Sequence, residues 1–162
     1  MDKLNIGLSK KFSESCVHTA QLMLPEHANP LGNVHGGVIM KLADEAGSLA
    51  AMRHAGSHAV TVFVESMTFD KPVEVGSLLH FNAQVSWVGQ TSMEVLVKVD
   101  AEDPLTGDTI ETNSAFFVYV ALDNERKPTS VPGLISETDE EKEMIDNGEK
   151  RKLLRIAGHK LS

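Results

Sequence analysis

From Gly36 to Arg53 the apolar residues Val38, Ile39, Leu42, Ala43, Ala46, Leu49 and Ala50 recur at spacings of three and four, which places them on one side of an α-helix. Ala43, Ala46, Gly47, Ser48, Ala50 and Ala51 crowd the same run with small side chains, so another element can approach its backbone closely. A helix of this composition is predicted to be wrapped by the rest of the chain and not laid on its surface. Gly56, just past Arg53 and His54, supplies a stop.

The flanking segments supply the wrapping. Residues 15–24 read as a first strand that Pro25 ends, and residues 25–37, rich in Pro, Gly and Asn, form a long loop. After the helix come four strand-length runs, 58–69, 77–88, 91–102 and 108–122, enriched in Val, Phe, Ile and Thr and separated by turn residues such as Gly89-Gln90 and Asp103-Pro104. The predicted architecture is α+β: a curled antiparallel sheet of about five strands, a strand and then a meander, around one central helix of about 18 residues, roughly 27 Å long. The chain divides into an N-terminal arm, 1–13, expected to be loose, a main domain, 14–132, and a charged C-terminal helical extension, 133–162. In that extension Asn147-Gly148 is expected to interrupt the helix, and Met144, Ile145, Leu153, Leu154 and Ile156 are expected to pack on something.

Composition narrows the function. The 162 residues suit one core, and no apolar run reaches the roughly 18 to 20 residues that span a bilayer. The N-terminus does not read as a secretory signal, and the single Cys16 forms no internal disulfide, so a reducing cytoplasm is the expected location. A net charge of −8 argues against nucleic acid, whose backbone is bound by clustered Lys and Arg. One small anionic ligand is still compatible with a few local cations and amides.

Few residues are placed for chemistry. Cys16 is expected to be a buried inert thiol, and the seven histidines show no i, i+4 pair flanking a carboxylate, so no metal site is expected. The run Gly32-Asn33-Val34-His35-Gly36-Gly37 is neither a dinucleotide fingerprint nor a phosphate loop, yet it leads directly into the helix. The first N–H groups of a helix have no internal partner, and two glycines let a carbonyl oxygen approach them. Charge developing on an acyl oxygen would be stabilised there. Further along the same helix, Asp44 stands among small apolar residues, with Glu45 turned about 100° away. An Asp in that setting is either paired or used as a base; the bland alternative is a surface Asp on an exposed stripe.

The segment HANPLGNVHGGVIMKLADEAGSLAAMRH, then VTVFVESMTFDKPVEVGSLLHFNAQVSWVGQTSMEVLVKV and ETNSAFFVYVAL, resembles the hotdog-fold acyl-CoA thioesterases, in particular the acyl-CoA hydrolase group, from about Cys16 to Pro132. Asn29 with the glycine motif, Asp44-Glu45, and Met67-Thr68-Phe69 with Pro72-Val73 carry the likeness. It implies a hotdog fold and hydrolysis of acyl-CoA to the free acid and CoA without metal or cofactor, coenzyme A being part of the substrate. Asp44 would activate water or attack the thioester, Asn29 would position water or substrate, and the two would come from different subunits. The amides near Gly36 and Gly37, beside His35, would bind the thioester oxygen. Gly89, Gln90, Thr91 and Ser92 would line the CoA tunnel, and Arg53, Lys71 and Lys98 are candidates for its phosphates. A homodimer with shared sites, assembling further as a trimer of dimers, is also implied.

Asn33 stands where some relatives carry Asp, so Asn29 and Asn33 could trade the positioning role. Two other functions stay open at this point. One is a non-catalytic acyl-CoA-binding regulator with the C-terminal segment as its output arm. The other is an enoyl-CoA hydratase using His35, a reading that leaves Asp44 without a role.

Overall fold

The computed structural model describes residues 8–159. A short strand β1 (Lys10–Lys11) and a strand β2 (Val17–Leu22) precede the helix α1 (Gly36–Ala55). Strands β3 (His58–Phe69), β4 (Leu78–Val88), β5 (Ser92–Glu102) and β6 (Thr109–Leu122) follow, then β7 (Leu134–Ile135) and a helix α2 (Asp139–His159). α1 ends where the glycine stop predicts: Gly56 adopts φ 68° and returns its N–H to the Met52 carbonyl. Ile39, Ala43, Ala46, Gly47, Ala50 and Ala51 of α1 are buried against the inner face of the sheet, where Phe81, Val85, Val95, Val97, Phe117 and Tyr119 meet them. The helix is wrapped because its small side chains let the sheet close on it.

The five strands of the main sheet run in the order β2-β4-β5-β6-β3, all antiparallel. Only β4, β5 and β6 form the expected meander, and β3 pairs with β6 at the far edge. Residues 70–77 cross beneath the start of α1, where the Val34 N–H donates to the Val73 carbonyl at 2.8 Å and Asn33 bridges Glu74. Strand periodicity specifies which residues face the core, not which strand lies beside which, so the crossing had no local signal.

Several expectations at the chain ends need correction. Residues 1–7 of the proposed arm lie outside the described residues, but the remainder is not loose. Lys10–Lys11 pairs with β7 in parallel, and Phe12 is buried. Helix α2 runs unbroken through Asn147-Gly148, because Gly148 lies against the Trp87 side chain on the outer face of the sheet, where a Cβ would overlap Trp87. A tertiary contact thus outweighs the poor helix propensity of glycine. Leu153, Leu154 and Ile156 are exposed and do not pack as expected. Ion pairs dock the helix instead. Cys16 is exposed rather than buried, since its neighbour Val17 is the residue that enters the core; burial of part of the thiol still pushes its pKa up, with Glu141 adding to the effect and Arg53 opposing it.

Candidate active site

The residues singled out in the sequence on and before α1 fall at two different points along that helix. The first is at Asp44, which is half-buried on the side of the helix that faces β3. Its Oδ1 accepts hydrogen bonds from Thr61 Oγ1 at 2.7 Å and from the Tyr119 hydroxyl at 3.0 Å. Thr61 and Tyr119 are opposite each other in the β3–β6 register, so one cross-strand pair brings both hydroxyls to one carboxylate oxygen. Asp44 Oδ2 has no partner among the described residues. Tyr119 is fully buried, and burial, reinforced by the charge of Asp44 and the hydrogen bond to it, pushes its hydroxyl far above the usual tyrosine range. It therefore stays protonated and donates.

The second group lies at the start of α1. His35 is the N-cap, and its Nδ1 accepts the Gly37 N–H at 2.9 Å. That contact corrects the reading of Gly37 as an open donor: the imidazole of His35 has taken it. The Gly36 amide takes no partner among the described residues, so it is the donor that remains available. Asn29 Oδ1 accepts the N–H groups of Leu31 at 2.9 Å and Asn33 at 3.2 Å, which folds the loop and leaves the side-chain NH₂ without a hydrogen-bond partner among the described residues. Asn33 is held through its backbone, exchanging bonds with Asn29 and bridging to Glu74. Gly36 and Asp44 are eight residues apart on one helix, about 12 Å along its axis. Within one chain, then, the carboxylate and the helix N-terminus are not brought together.

The segment Gly89-Gln90-Thr91-Ser92 is the β4–β5 turn, closed by Gly89 N–H to the Ser92 carbonyl at 2.8 Å. Its carbonyls at Gln90 and Thr91 accept from Val131 and Ala121, which ties the turn to residues 121–131. Beside those residues opens a cleft of about 620 Å³ lined in part by Met52, His58, Asp123 and Ser130. Of the three cations considered for phosphates, Arg53 donates one N–H to the Cys16 carbonyl at 2.5 Å and Lys98 lies 3.9 Å from Glu111. Lys71 has no ion-pair partner among the described residues. No cluster of three or more His, Cys, Asp or Glu side chains among the described residues is arranged to hold a metal, and no helix there is long and apolar enough to cross a membrane.

Thr61 and Tyr119 escaped the sequence reading. Neither stands in a motif; one is a threonine in a Val-rich strand, the other an aromatic in a Phe-rich one. Only the β3–β6 pairing puts them on Asp44.

Residues 31–107 match the family model of the thioesterase superfamily. The chain is 37% identical over 135 residues to the cytosolic acyl coenzyme A thioester hydrolase of Rattus norvegicus, covering 82% of this chain and 35% of that longer protein. An acyl-CoA hydrolase from Staphylococcus aureus, solved with butyryl coenzyme A, coenzyme A and coenzyme A disulfide, superimposes with a TM-score of 0.86 at 34% identity, covering 94% of this chain and 93% of the other. The same enzyme has been solved with an asparagine, an aspartate or a threonine replaced by alanine. A hexameric acyl-CoA thioesterase without ligand gives a TM-score of 0.90 at 35% identity, covering 95% and 99% of the two chains. With the same sheet wrapped around the same helix and this degree of identity over nearly its whole length, the chain belongs to the thioesterase superfamily, among its hotdog-fold acyl-CoA hydrolases.

Proposed function

We propose that this protein hydrolyses acyl-CoA to a free carboxylic acid and CoA, with Asp44 as the reacting carboxylate. The observation that carries the reading is the geometry at Asp44: two hydroxyls hold Oδ1 while Oδ2 is left without a partner among the described residues. As a base, Oδ2 takes a proton from water as the water oxygen bonds to the acyl carbon. The C–S bond then breaks, and the proton passes to the departing thiolate sulfur. As a nucleophile, Oδ2 itself bonds to the acyl carbon and expels CoA thiolate, and water then cleaves the resulting anhydride. Both routes consume one water and need no cofactor or metal.

The oxyanion is assigned to the Gly36 amide at the positive end of α1, with the Asn29 NH₂ positioning water or the thioester. Because these groups lie about two helical turns from Asp44 in one chain, the complete site is assigned to two subunits, Asp44 from one and Asn29 with Gly36 from the other. The exposed edge of β3, with Val60, Val62 and Val64 open to solvent, supports a homodimer joined along that strand. The hexameric relative supports further assembly of such dimers as a trimer of dimers. The β4–β5 turn, Gly89 to Ser92, and Lys71 are the proposed contacts for the CoA moiety. The cytosolic relative supports a cytoplasmic location.

The decisive experiment incubates the purified protein with acyl-CoAs from acetyl to stearoyl in the presence of a thiol reagent. Free CoA should appear, and Asp44→Ala should slow its release by about 10²-fold or more. Normal turnover by that variant would remove Asp44 from the reaction. Thioester recovered intact after hours would instead indicate a binding regulator, and loss of enoyl absorbance without thiol would indicate a hydratase. The use of His35 Nδ1 as a helix cap weighs against the hydratase.

A further inference from the structure

Tyr119 is completely buried in the sheet face that covers α1, a place where a phenylalanine would pack without the cost of desolvating a hydroxyl. Its hydroxyl donates to Asp44, whose backbone carbonyl and Oδ1 each lie at 3.0 Å. The helix is cut away to admit it. Gly47, three residues after Asp44, sits where a Cβ would overlap the Tyr119 hydroxyl oxygen and stand 3.2 Å from its Cζ and 3.3 Å from Val97 Cγ2. Glycine in the interior of a helix costs about 1 kcal/mol relative to alanine, so the notch has an energetic cost.

We infer that Gly47 and Tyr119 form a positioning device for Asp44, in which the buried hydroxyl, with Thr61, pins Oδ1 and turns Oδ2 toward the thioester. The inference rests on the reading of Asp44 as the reacting carboxylate and adds to it the means by which that carboxylate is oriented. Neither residue touches substrate; both act through Asp44. Because its proton is held tightly, the phenol donates to the carboxylate throughout the neutral range.

The test is steady-state hydrolysis of butyryl-CoA and palmitoyl-CoA by three variants and their combinations, with thermal unfolding measured in parallel. Tyr119→Phe keeps the ring and should lower kcat by about tenfold or more while KM stays within about twofold, the size expected for a hydrogen bond to a charged group. On an Asp44→Ala background, assayed at enzyme concentrations that resolve the residual rate, the same change should add less than about a twofold loss, since there is no carboxylate left to orient. Gly47→Ala should lower both Tm and kcat by displacing the hydroxyl. Adding Tyr119→Phe to Gly47→Ala removes the overlapping oxygen, leaving the tighter contacts with the ring carbon and Val97, and should recover part of the lost Tm, yet leave kcat low. A purely structural role predicts the opposite, rate returning with Tm, and that result overturns the inference. So does wild-type kcat in a folded Tyr119→Phe, or an equal loss with and without Asp44. If Asp44→Ala itself turns over normally, the hydrolytic reading of that residue has failed; if Asp44→Ala is slow and Tyr119→Phe is not, the failure belongs to this inference alone.

Discussion

Glu94, fully buried on β5, is gripped by Arg151 of α2 through two parallel hydrogen bonds, Nε to Oε2 at 3.0 Å and Nη2 to Oε1 at 2.7 Å. Ser86 donates to the same carboxylate at 2.7 Å, and Arg155 bridges it to Glu65. This network, not an apolar stripe, holds α2 on the outer face of the sheet. Arg151 also stacks over the Phe116 ring, 3.9 Å from its centroid.

Arg151→Ala is therefore expected to destabilise the protein by about 2 kcal/mol, because the buried Glu94 carboxylate loses both parallel hydrogen bonds and keeps only Ser86 and an Arg155 that lies at 3.4 Å and is shared with Glu65. Urea unfolding of wild type and variant measures it. A difference under about 0.5 kcal/mol, the level of an exposed pair, would contradict the assignment.

Gly148→Ala tests the packing of α2 against Trp87. Helix propensity alone predicts a gain of about 1 kcal/mol. The overlap of the new Cβ with the Trp87 side chain predicts a loss of about 1–3 kcal/mol, as for other overpacked sites, and that sign should prevail in thermal unfolding. A more stable variant would show that α2 stands further from the sheet.

His54 makes stability depend on pH. It is fully buried; Ser15 Oγ lies 2.8 Å from its Nδ1, and its Nε2–H donates to the Pro132 carbonyl at 3.0 Å. Burial holds its pKa below the usual histidine range; the Pro132 bond opposes this and Lys10 adds to it. The unfolded chain therefore binds a proton at His54 more readily than the folded one, starting near the ordinary value of about 6.5. Stability contributed by neutral His54 is present above that pH and is lost as pH falls through and below it. Denaturant titrations between pH 7.5 and pH 5.5, ~2 units, should show the decline, and His54→Gln should be less stable at pH 7.5 but flatter over the interval. An unchanged slope in His54→Gln would place the dependence elsewhere.

His35→Ala removes the N-cap of α1 and should cost about 1 kcal/mol, with His35→Asn recovering most of it through the same bond to the Gly37 N–H. Equal losses in the two variants, read by thermal unfolding, would mean that the ring acts by packing.

A site shared between subunits predicts complementation. Asp44→Ala and Asn29→Ala homodimers should each be slow, but after unfolding and refolding together the mixture should regain roughly a quarter of wild-type activity, from the one intact site in each heterodimer. No recovery, with mixed dimers verified by mass spectrometry, would place both residues in one subunit's site.

What the sequence determined by itself was whatever short-range chemistry dictates. The small residues between Gly36 and Ala55 specify a helix that other elements can enclose, Gly56 ends it, and alternation along 92–102 assigns each side chain of that strand to one face. The resemblance carried by Asn29, the glycine motif and Asp44 pointed to the family. Tertiary structure decided which strand borders which, and hence that Thr61 and Tyr119 converge on one oxygen of Asp44 across a sheet edge. It also decided that His35 takes the Gly37 amide, that Gly148 continues a helix it would otherwise break, and that a buried carboxylate at Glu94 anchors α2. The physical reason is common to these cases. Periodicity and propensity act over a few residues, whereas a hydroxyl 75 positions away or an overlap with a tryptophan 61 positions away is felt only once the chain has closed.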